Sequence, residues 1–414
     1  MITKLYIENF RSLIRDEIDL GKITILTGPN NSGKSSIIYG LLALKNIVLN
    51  SNQSLDSCLA LGFINLGGFS QTVHLKNEDL NIILGIDVCK DGVESNYSVS
   101  LGKKKSEFRL KTLKPYKTSL NLEVGFPYAA NRSTGCEVKL DYGIAKVTWN
   151  GITPTISIEQ AKMGMDIVAG ETTNREIVTK QLSDSFNRPM EELRGVDFVP
   201  LRRGFMKPIY SSVPMQQQLL NEDELATLLS SDRDLEGKVA HYLAKIVDRI
   251  FNVRPTIGTA NFNLQSRDIS TGLVCDLVNE GFGTNQLVTI LTKSLRKEMR
   301  TICIEESEIH LHPELMDKLV DVLIDITKEE EKNFIISTHS EHIVLSLLNK
   351  VKEKKIGADE VKIYYLNKDR KKAKIEKQKI NDKGQIEGGL KGFYETELSE
   401  VKEFFNVSNS EDTK

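Results

Sequence analysis

The chain has 414 residues, of which 40% are hydrophobic and 27% charged, with a formal net charge of −2, which is ordinary for a globular protein. No apolar run approaches the ~20 residues of a membrane helix, and the N-terminus lacks the basic start and apolar core of a signal peptide. Five cysteines without a CxxC pair indicate neither a disulfide framework nor a zinc ribbon. We therefore expect a cytoplasmic protein without membrane contacts, in which any nucleic-acid contact depends on a local patch or a partner.

The first elements in the chain are two strands and a helix. Alternation predicts a strand over Leu5–Phe10, and a second strand, Lys22–Leu26, leads through a glycine-rich turn into a helix from Ser35 to about Lys45. From Thr72 to about Asn150, short alternating segments with turn residues between them predict an antiparallel β lobe. Helices are expected over about 157–192 and 215–251, and the final third alternates strands and helices as βαβ units do.

The glycine-rich turn, Gly28–Ser35, fits the phosphate-binding loop pattern at every fixed position. Its glycines let backbone N–H groups point at phosphates, and the following helix adds its dipole. Lys34 is predicted to reach the β- and γ-phosphates and the Ser35 hydroxyl to bind Mg²⁺, so ATP and Mg²⁺ are the predicted cofactors. The predicted nucleotide contacts in this loop are Gly28, Pro29, Asn30, Asn31, Ser32, Gly33, Lys34, Ser35 and Ser36.

A second motif follows the strand-forming residues Ile302–Ile304, which lead into two acids. As in a Walker B strand, Glu305 would hold the Mg²⁺ shell and Glu306 would polarise the attacking water as a catalytic group. A rival interpretation takes four side chains here as metal ligands, although nothing positions a further ligand: Glu306, Glu308, His310 and His312. An exposed acidic turn would explain the acids but not the apolar strand before them.

A third motif ends the apolar strand Phe334–Thr338 with His339. There the imidazole could hydrogen-bond a γ-phosphate. A lone histidine of this kind is more often structural. Its position one βα unit after the paired acids favours a catalytic role, beside Lys34 and Glu306.

Together, in this order, the three motifs resemble those of ABC-type ATPases of the RecF, SMC and OLD families. The resemblance includes an opening IxNFRS pattern at Ile7–Ser12, EExxxHLHP from Glu305 and STHS from Ser337. It implies that Arg11 contacts the nucleotide. The stretches Phe198–Arg203 and Lys391–Tyr394 also look like this group, the latter like a subgroup of stand-alone bacterial OLD-like ATPases.

Two further sites are implied by the resemblance alone. A signature sequence that contacts the γ-phosphate bound by the opposite subunit is expected within Asn279–Leu287, through Gly281, Gly283 and Gln286. The region Asn65–His74 resembles a Q-loop, which places Gln71 with Ser35 and Glu305 as a metal contact.

Four departures from these families matter. Glu305 stands where Asp is usual, which puts the hydrolysis rate in doubt, and the signature is not the LSGGQ of transporters. The helices expected over 215–251 are too short for the coiled coil of SMC proteins. About 75 residues follow His339, fewer than the Toprim nuclease domain of OLD proteins needs after the sheet is completed.

The fold expected from this resemblance is α/β: a bilobal ABC-type P-loop ATPase head with a mixed β-sheet core, an inserted antiparallel β lobe and a short helical arm. We expect a mixed N-terminal sheet carrying the phosphate-binding loop and a C-terminal parallel-sheet lobe. The predicted parts are an N-terminal P-loop part (1–71), the inserted β-rich lobe with helices (72–195), the helical arm (196–260), the C-terminal ATPase lobe (261–405) and a disordered tail (406–414).

The resemblance implies a homodimer or higher homo-oligomer that closes head to tail around two ATPs. Its nucleotide state would be read by a separate effector, a nuclease or toxin, as in PARIS- or Septu-like anti-phage systems. The alternatives are a RecF-like repair ATPase that binds DNA itself, and an ATP-gated scaffold with little turnover. Nucleic acid is a further candidate partner, through a run of basic residues in the β lobe between which Phe108 and Tyr116 lie. The alternative is that this run forms only a solvated face. The basic residues are Lys103, Lys104, Lys105, Arg109, Lys111, Lys114 and Lys117.

Overall fold

The computed structural model describes residues 1–50, 52–90, 93–113, 120–126, 133–140, 143–160, 183–184, 186–215, 220–369 and 372–389. The strands are β1 (Ile2–Phe10), β2 (Leu13–Asp19), β3 (Ile23–Thr27), β4 (Ile82–Lys90), β5 (Val93–Leu101), β6 (Glu107–Leu113), β7 (Leu120–Gly125), β8 (Thr134–Leu140), β9 (Gly143–Trp149), β10 (Pro154–Gln160), β11 (Val196–Val199), β12 (Tyr210–Ser211), β13 (Arg249–Pro255), β14 (Asn261–Asp268), β15 (Val274–Asp276), β16 (Thr301–Glu305), β17 (Asn333–Thr338), β18 (Val361–Asp369) and β19 (Lys372–Gln378). The helices are α1 (Lys34–Leu49), α2 (Phe69–Thr72), α3 (residues 186–194), α4 (Glu222–Ser231), α5 (Arg233–Ile246), α6 (Phe282–Leu295), α7 (Pro313–Glu329) and α8 (Glu341–Lys352).

A central sheet has the strand order β11-β16-β17-β3-β18-β19, parallel except for β19. The strands β3, β16 and β17 are buried along their whole length, as expected of parallel strands covered on both faces. Alternate residues serve two cores: Leu26 belongs to a core with α1, whereas Ile25 belongs to a core with α5 to α8. The sheet is therefore the wall between the two halves of the molecule.

A six-stranded antiparallel sheet, β2-β1-β4-β5-β6-β7, lies on the α1 side. A second, three-stranded sheet, β10-β9-β8, contributes the buried Trp149 to the same core, edge to face with Tyr97 at 6.4 Å between ring centroids. The antiparallel β lobe predicted from the sequence is therefore present, but it is continuous with the N-terminal strands. The expectation that the phosphate-binding loop belongs to an N-terminal sheet is wrong, because its strand β3 pairs with β17 and β18.

Two predicted helical stretches are partly wrong. The expected helix over 157–192 begins instead as strand β10, with helix again over 186–194, and 161–182 lies outside the described residues. The helix expected to reach Phe251 ends at Ile246, because the buried Phe251 and Val253 alternate with half-buried or exposed residues and pair with β14 as strand β13. The five-part division of the chain stays a prediction, and its tail, 406–414, lies outside the described residues.

None of the helices in the described part of the chain is long and apolar enough to span a lipid bilayer.

A buried charge cluster joins α1, β11 and α6. The Asp197 carboxylate, fully buried, receives Lys293 Nζ at 3.2 Å and an Arg296 guanidinium nitrogen at 2.9 Å. Lys45 Nζ donates to the Val196 carbonyl and lies close enough to Asp197 to interact with its charge. Burial lowers the pKa of Lys45 from 10.5 to about 8. One carboxylate thus faces three cations, so Lys45 is a costly charge in the core.

We expect Lys45→Met to stabilise the fold at neutral pH and to remove part of the pH dependence of stability. Between pH 8 and 10.5 the unfolded chain binds the Lys45 proton more tightly than the folded chain does. The free energy of unfolding of the natural protein therefore rises with pH across this window, by about 1.36 kcal/mol for each pKa unit of difference.

Urea titrations at pH 7 and pH 9.5 measure this difference, with Lys104→Met, at a lysine that is 92% exposed, as the control. A Lys45→Met protein that is less stable than the natural one at both pH values would contradict the interpretation.

Candidate functional site

Three loops meet at the carboxyl ends of β3, β16 and β17, where they surround an open pocket of about 650 Å³. Ligands of open α/β sheets bind at this edge. The pocket brings together Lys34, Ser35, Glu305, Glu306 and His339, which the three motifs single out. The other lining residues are Arg11, Ser12, Asn30, Asn31, Ser32, Gly33, Ser36, Tyr39, Leu201 and Ser337.

The loop Gly28–Gly33 depends on glycine at both ends. Gly28 has φ +136° and Gly33, the N-cap of α1, φ +107°, which side chains rarely adopt. A Cβ on Gly28 would also lie 1.9 Å from the Leu366 carbonyl oxygen. The loop passes this close to β18, so its backbone can face the pocket.

The Lys34 ammonium lies inside the loop. Its Nζ donates to the carbonyl oxygens of Gly28 at 2.8 Å and Pro29 at 2.9 Å. Gly28 and Pro29 were both predicted to contact the nucleotide, but neither residue lines the pocket. Burial lowers the pKa of Lys34 to about 8, although Glu306 and Glu308 oppose that shift. A phosphate in the pocket would restore a full counter-charge to this ammonium.

Glu305 reaches the start of α1. Its carboxylate accepts hydrogen bonds from the Ser35 hydroxyl and from Tyr39 Oη, the latter at 3.4 Å. Burial raises the pKa of Glu305 and that of Tyr39, the latter to about 12. A hydroxyl and a carboxylate side by side are the oxygen ligands that Mg²⁺ takes beside nucleotide phosphates, so Ser35 and Glu305 fit the predicted ion.

Glu306 turns away from Glu305 because its backbone is left-handed, with φ +44°. Its N–H donates to the Ser337 carbonyl at 2.8 Å, and its Oε1 lies 3.7 Å from His339 Nε2. Burial and the Lys34 charge lower the pKa of His339, so the imidazole is neutral at pH 7. The carboxylate and the imidazole, each about one-third exposed, thus stand together at the pocket surface.

Arg203 holds the turn between the two acids. Its guanidinium donates to the carbonyl oxygens of Glu305 and Glu306, both at 2.6 Å, and to that of Pro200 at 3.1 Å. Burial lowers the pKa of Arg203 to about 10. The sequence analysis assigned this residue no role, although Arg203 ends the stretch Phe198–Arg203 that resembles the family.

Glu308 holds the segment Thr338–Ser340, which carries His339 and is called the histidine loop below. Its Oε1 accepts from Thr338 Oγ1 at 2.6 Å and from the N–H groups of His339 at 3.0 Å and Ser340 at 3.2 Å. The rival metal site is not supported, since His310 packs on the Phe282 ring at 5.5 Å and His312 Nδ1 caps α7. In the described part of the chain, no three His, Cys, Asp or Glu side chains are placed to hold a metal ion.

The residues implied by the resemblance lie at different distances from this pocket. Arg11 lines it, 5.7 Å above the Tyr39 ring, whereas Gln71 is exposed on α2 and does not line it. Gly281 is the N-cap of α6, and Gly283 packs on the His310 carbonyl. Gln286 lines a second pocket.

Four pocket residues were missed by the sequence analysis: Ser12, Tyr39, Leu201 and Ser337. Ser12 and Ser337 belong to quoted motifs, and Tyr39 falls one helical turn after Ser35, a spacing that could have found it.

The basic hairpin of the β lobe is largely paired with acids. Lys103 pairs with Glu78, and Lys105 with Glu107 at 2.5 Å and Glu123 at 2.9 Å. Arg109 also pairs with these two glutamates, and Lys104 lies 3.8 Å from Asp79. The candidates Lys114, Tyr116 and Lys117 fall outside the described residues. The described part of this patch is thus closer to a solvated, neutralised face than to a cationic stripe.

Comparisons with known proteins identify a family and a fold. A family model described as "AAA domain, putative AbiEii toxin, Type IV TA system" matches residues 23–346. No curated protein matches the chain. Among solved structures, an SMC head bound to the C-terminal winged-helix domain of ScpA is 13% identical, with a TM-score of 0.50, and the match covers 91% of this chain and 97% of that one.

Two further solved structures have lower TM-scores. The SMC head domain from Thermotoga maritima is 12% identical with a TM-score of 0.43, and the match covers 91% of this chain and 98% of that chain. The second is an SMC head domain with an extended coiled coil, bound to the C-terminal domain of ScpA and derived from Pyrococcus furiosus. It is also 12% identical with a TM-score of 0.43, and the match covers 91% of this chain and 96% of that chain. The predicted fold class, an ABC-type P-loop ATPase head, is confirmed.

We expect Glu308→Ala to loosen the histidine loop. Hydrogen bonds to a charged group contribute about 1.5–3 kcal/mol, which corresponds to a tenfold or greater rise in local opening. Amide hydrogen exchange at His339 and Ser340 should therefore accelerate by about tenfold or more.

Glu306→Gln, which leaves those three hydrogen bonds intact, is the matched control, and Glu308→Gln should restore most of the protection. Unchanged exchange in Glu308→Ala would mean that Glu308 does not hold this loop.

Proposed function

The chain belongs to the family described as "AAA domain, putative AbiEii toxin, Type IV TA system", and we propose that it is a nucleotide-gated, dimeric ABC-type ATPase that hydrolyses ATP and passes its nucleotide state to a separate effector. Membership and fold make it a nucleotide-binding ATPase. The observation that carries the further steps is the convergence of Lys34, Ser35, Glu305, Glu306 and His339 on one pocket.

Each side chain has one task in this proposal. Lys34 leaves the two loop carbonyls and binds the β- and γ-phosphates, while Ser35 and Glu305 hold Mg²⁺, which supplies charge stabilisation to the transferring phosphoryl group. Glu306 orients the attacking water and accepts its proton. The neutral His339 beside Glu306 donates a hydrogen bond to the γ-phosphate.

The signature residues support a dimer. Gly281 and Gly283 lie at the start of α6, and neither lines the pocket that holds Lys34. The exposed N-terminus of a 14-residue helix is suited to an anion brought by another molecule. Head-to-tail closure of two chains would bring the nucleotide of one chain to the α6 of the other.

The proposed effector is supported by the family description and by one solved complex. The family description names a toxin of a type IV toxin–antitoxin system, and a head of this fold is known in a complex with another protein, ScpA. We infer a sensor or scaffold that holds or releases a nuclease or toxin in anti-phage defence. An ATP-gated scaffold with little turnover is the variant of this role in which Glu305 slows hydrolysis.

The test is the Glu306→Gln protein. We expect it to bind ATP with unchanged affinity, to lose about 10²–10⁴-fold in turnover, and to accumulate as an ATP-bound dimer. Calorimetry, phosphate release and light scattering measure these quantities. Lys34→Ala, which removes the phosphate-binding cation, should instead abolish binding and the dimer together.

Pull-downs from the native host then compare the trapped Glu306→Gln protein with Lys34→Ala. An effector recovered with the two proteins in different amounts supports the sensor role. Full turnover in Glu306→Gln would remove Glu306 from catalysis, and negligible turnover in the natural protein would leave the scaffold role.

A RecF-like ATPase that binds DNA itself is the second candidate. Its basis is the basic hairpin, where Lys103–Lys105 are three consecutive lysines and the Lys104 side chain is 92% exposed. The acids Glu78, Glu107 and Glu123 weigh against it, because they offset these charges.

We expect the trapped Glu306→Gln protein to bind duplex DNA weakly and with a shallow dependence on salt. Each phosphate contact contributes about 0.9 to the slope of log affinity against log salt. Lys103→Ala with Lys105→Ala should change that slope by less than one contact. Tight ATP-dependent DNA binding whose slope falls in the double variant would favour the repair role.

A further inference from the structure

A second pocket, of about 750 Å³, opens beside the nucleotide pocket and shares Leu201 with it. Its walls are mostly apolar and come from the 62–63 loop, the segment after β11, α4 and α6. The apolar side chains that form the mouth are partly exposed, with Phe63 at 36%, Met206 at 48% and Phe282 at 58%. Cavities of this size with few polar groups are typical of small-molecule sites.

One face of α6 runs from the mouth of this pocket to its floor. Phe282, Gln286, Thr289 and Lys293 are spaced four, three and four residues apart and all line the pocket. Phe282 is exposed, whereas Gln286, Thr289 and Lys293 are only 6%, 4% and 3% exposed. Thr289 Oγ1 donates to the Asn285 carbonyl at 3.4 Å and Lys293 pairs with Asp197, so Gln286 Oε1 is the side-chain atom of this stripe that is left without a partner.

The buried polar groups of the pocket are incompletely paired in the described part of the chain. Gln286 Oε1 and Arg203 Nε have no hydrogen-bond partner, and Lys293 Nζ makes one hydrogen bond, to Asp197 Oδ1. Arg203 and Lys293 are both more than nine-tenths buried. An acceptor that entered the pocket would find the Arg203 Nε–H and the Lys293 ammonium already desolvated, whereas Gln286 Oε1 is itself an acceptor and would need a donor.

The acids nearby are committed elsewhere. Glu222 lines the pocket, but its Oε1 accepts from Tyr210 Oη and, at 2.6 Å, from the Met206 N–H. Glu224, which acts on Lys293 through its charge, accepts from the Asn221 N–H at 2.8 Å as part of the α4 cap. Glu305, Glu306 and Glu308 act on Arg203 through their charge, but Glu222 is the one acid among the described residues that line this pocket, beside Arg202, Arg203 and Lys293, so the lining favours an anion.

This anion differs from a γ-phosphate at the start of α6. At 1.5 Å per residue, Lys293 lies about 16 Å along the helix from Phe282. A phosphate held at the helix N-terminus would not reach it.

We propose that the second pocket binds a small amphipathic anion, whose apolar body lies against Phe63, Phe198 and Leu201 and whose acidic group reaches Lys293 and Arg203. The occupant is a carboxylate, sulfonate or phosphate on an aromatic or aliphatic body. The proposal does not depend on ATP hydrolysis.

Two probes of the same shape test it. 8-Anilinonaphthalene-1-sulfonate carries an anionic group, and N-phenyl-1-naphthylamine is its neutral counterpart. Fluorescence titration of the nucleotide-free protein should give an affinity for the sulfonate about tenfold or more above that for the neutral probe, because the charged group meets buried donors.

Lys293→Met should abolish that preference and leave the fold intact, since Asp197 keeps Arg296 at 2.9 Å. Lys297→Met, at a neighbouring lysine that is 70% exposed, is the matched control. A second pair of variants avoids the core: Met206→Glu should weaken sulfonate binding and Met206→Lys should strengthen it.

Lys34→Ala should bind the sulfonate as the natural protein does, because the nucleotide loop takes no part. Equal affinity for the two probes, or unchanged binding in both Lys293→Met and the Met206 pair, would overturn the proposal. Loss of binding in Lys34→Ala would assign the probe to the nucleotide pocket and overturn it too. Neither outcome would bear on the ATPase proposal, which the Glu306→Gln turnover tests.

Discussion

Burial of the central sheet between two cores is the constraint on which the site depends. The strands β3, β16 and β17 are buried along their whole length and mostly apolar, so their charged groups come at or after the strand ends. Because the strands are parallel, those ends coincide, and the first polar residues after each strand meet at one edge. Lys34, Glu306 and His339 are neighbours for this reason, although the chain separates Lys34 from the other two by 272 and 305 residues.

Two side chains, Arg203 and Glu308, hold the backbone of the loops that carry the site. Arg203 binds the carbonyls of Glu305 and Glu306, and Glu308 binds the amides of His339 and Ser340. The two acids and the histidine are therefore positioned by groups outside the proposed reacting set. Rigid support of this kind is what electrostatic catalysis requires, because the groups then need no reorganisation during the reaction.

Sequence reasoning reached the parts of the fold that local patterns encode. The buried strands, the glycine loop and the order of the motifs led to the confirmed fold class, because each has a short-range signature. The pairing of β1 with β4 rather than with β3 depends on which core each strand face enters, and no local pattern records that. Arg203 and Glu308 act on residues 102 and 30 positions away in the sequence, so no local pattern records the contacts that give them a role. Tyr39 is different, because its helical spacing from Ser35 is a local signal.

The position of the Lys34 ammonium changes what nucleotide binding means in this loop. With Nζ already held by the carbonyls of Gly28 and Pro29, the loop carries its own substitute for a phosphate. If Lys34 binds the phosphates as proposed, entry of a nucleotide is an exchange, in which phosphate oxygens replace two backbone acceptors rather than meeting a bare cation. The affinity measures the difference between two sets of acceptors, and the vacated carbonyls must turn to solvent or to the bound ligand's own donors.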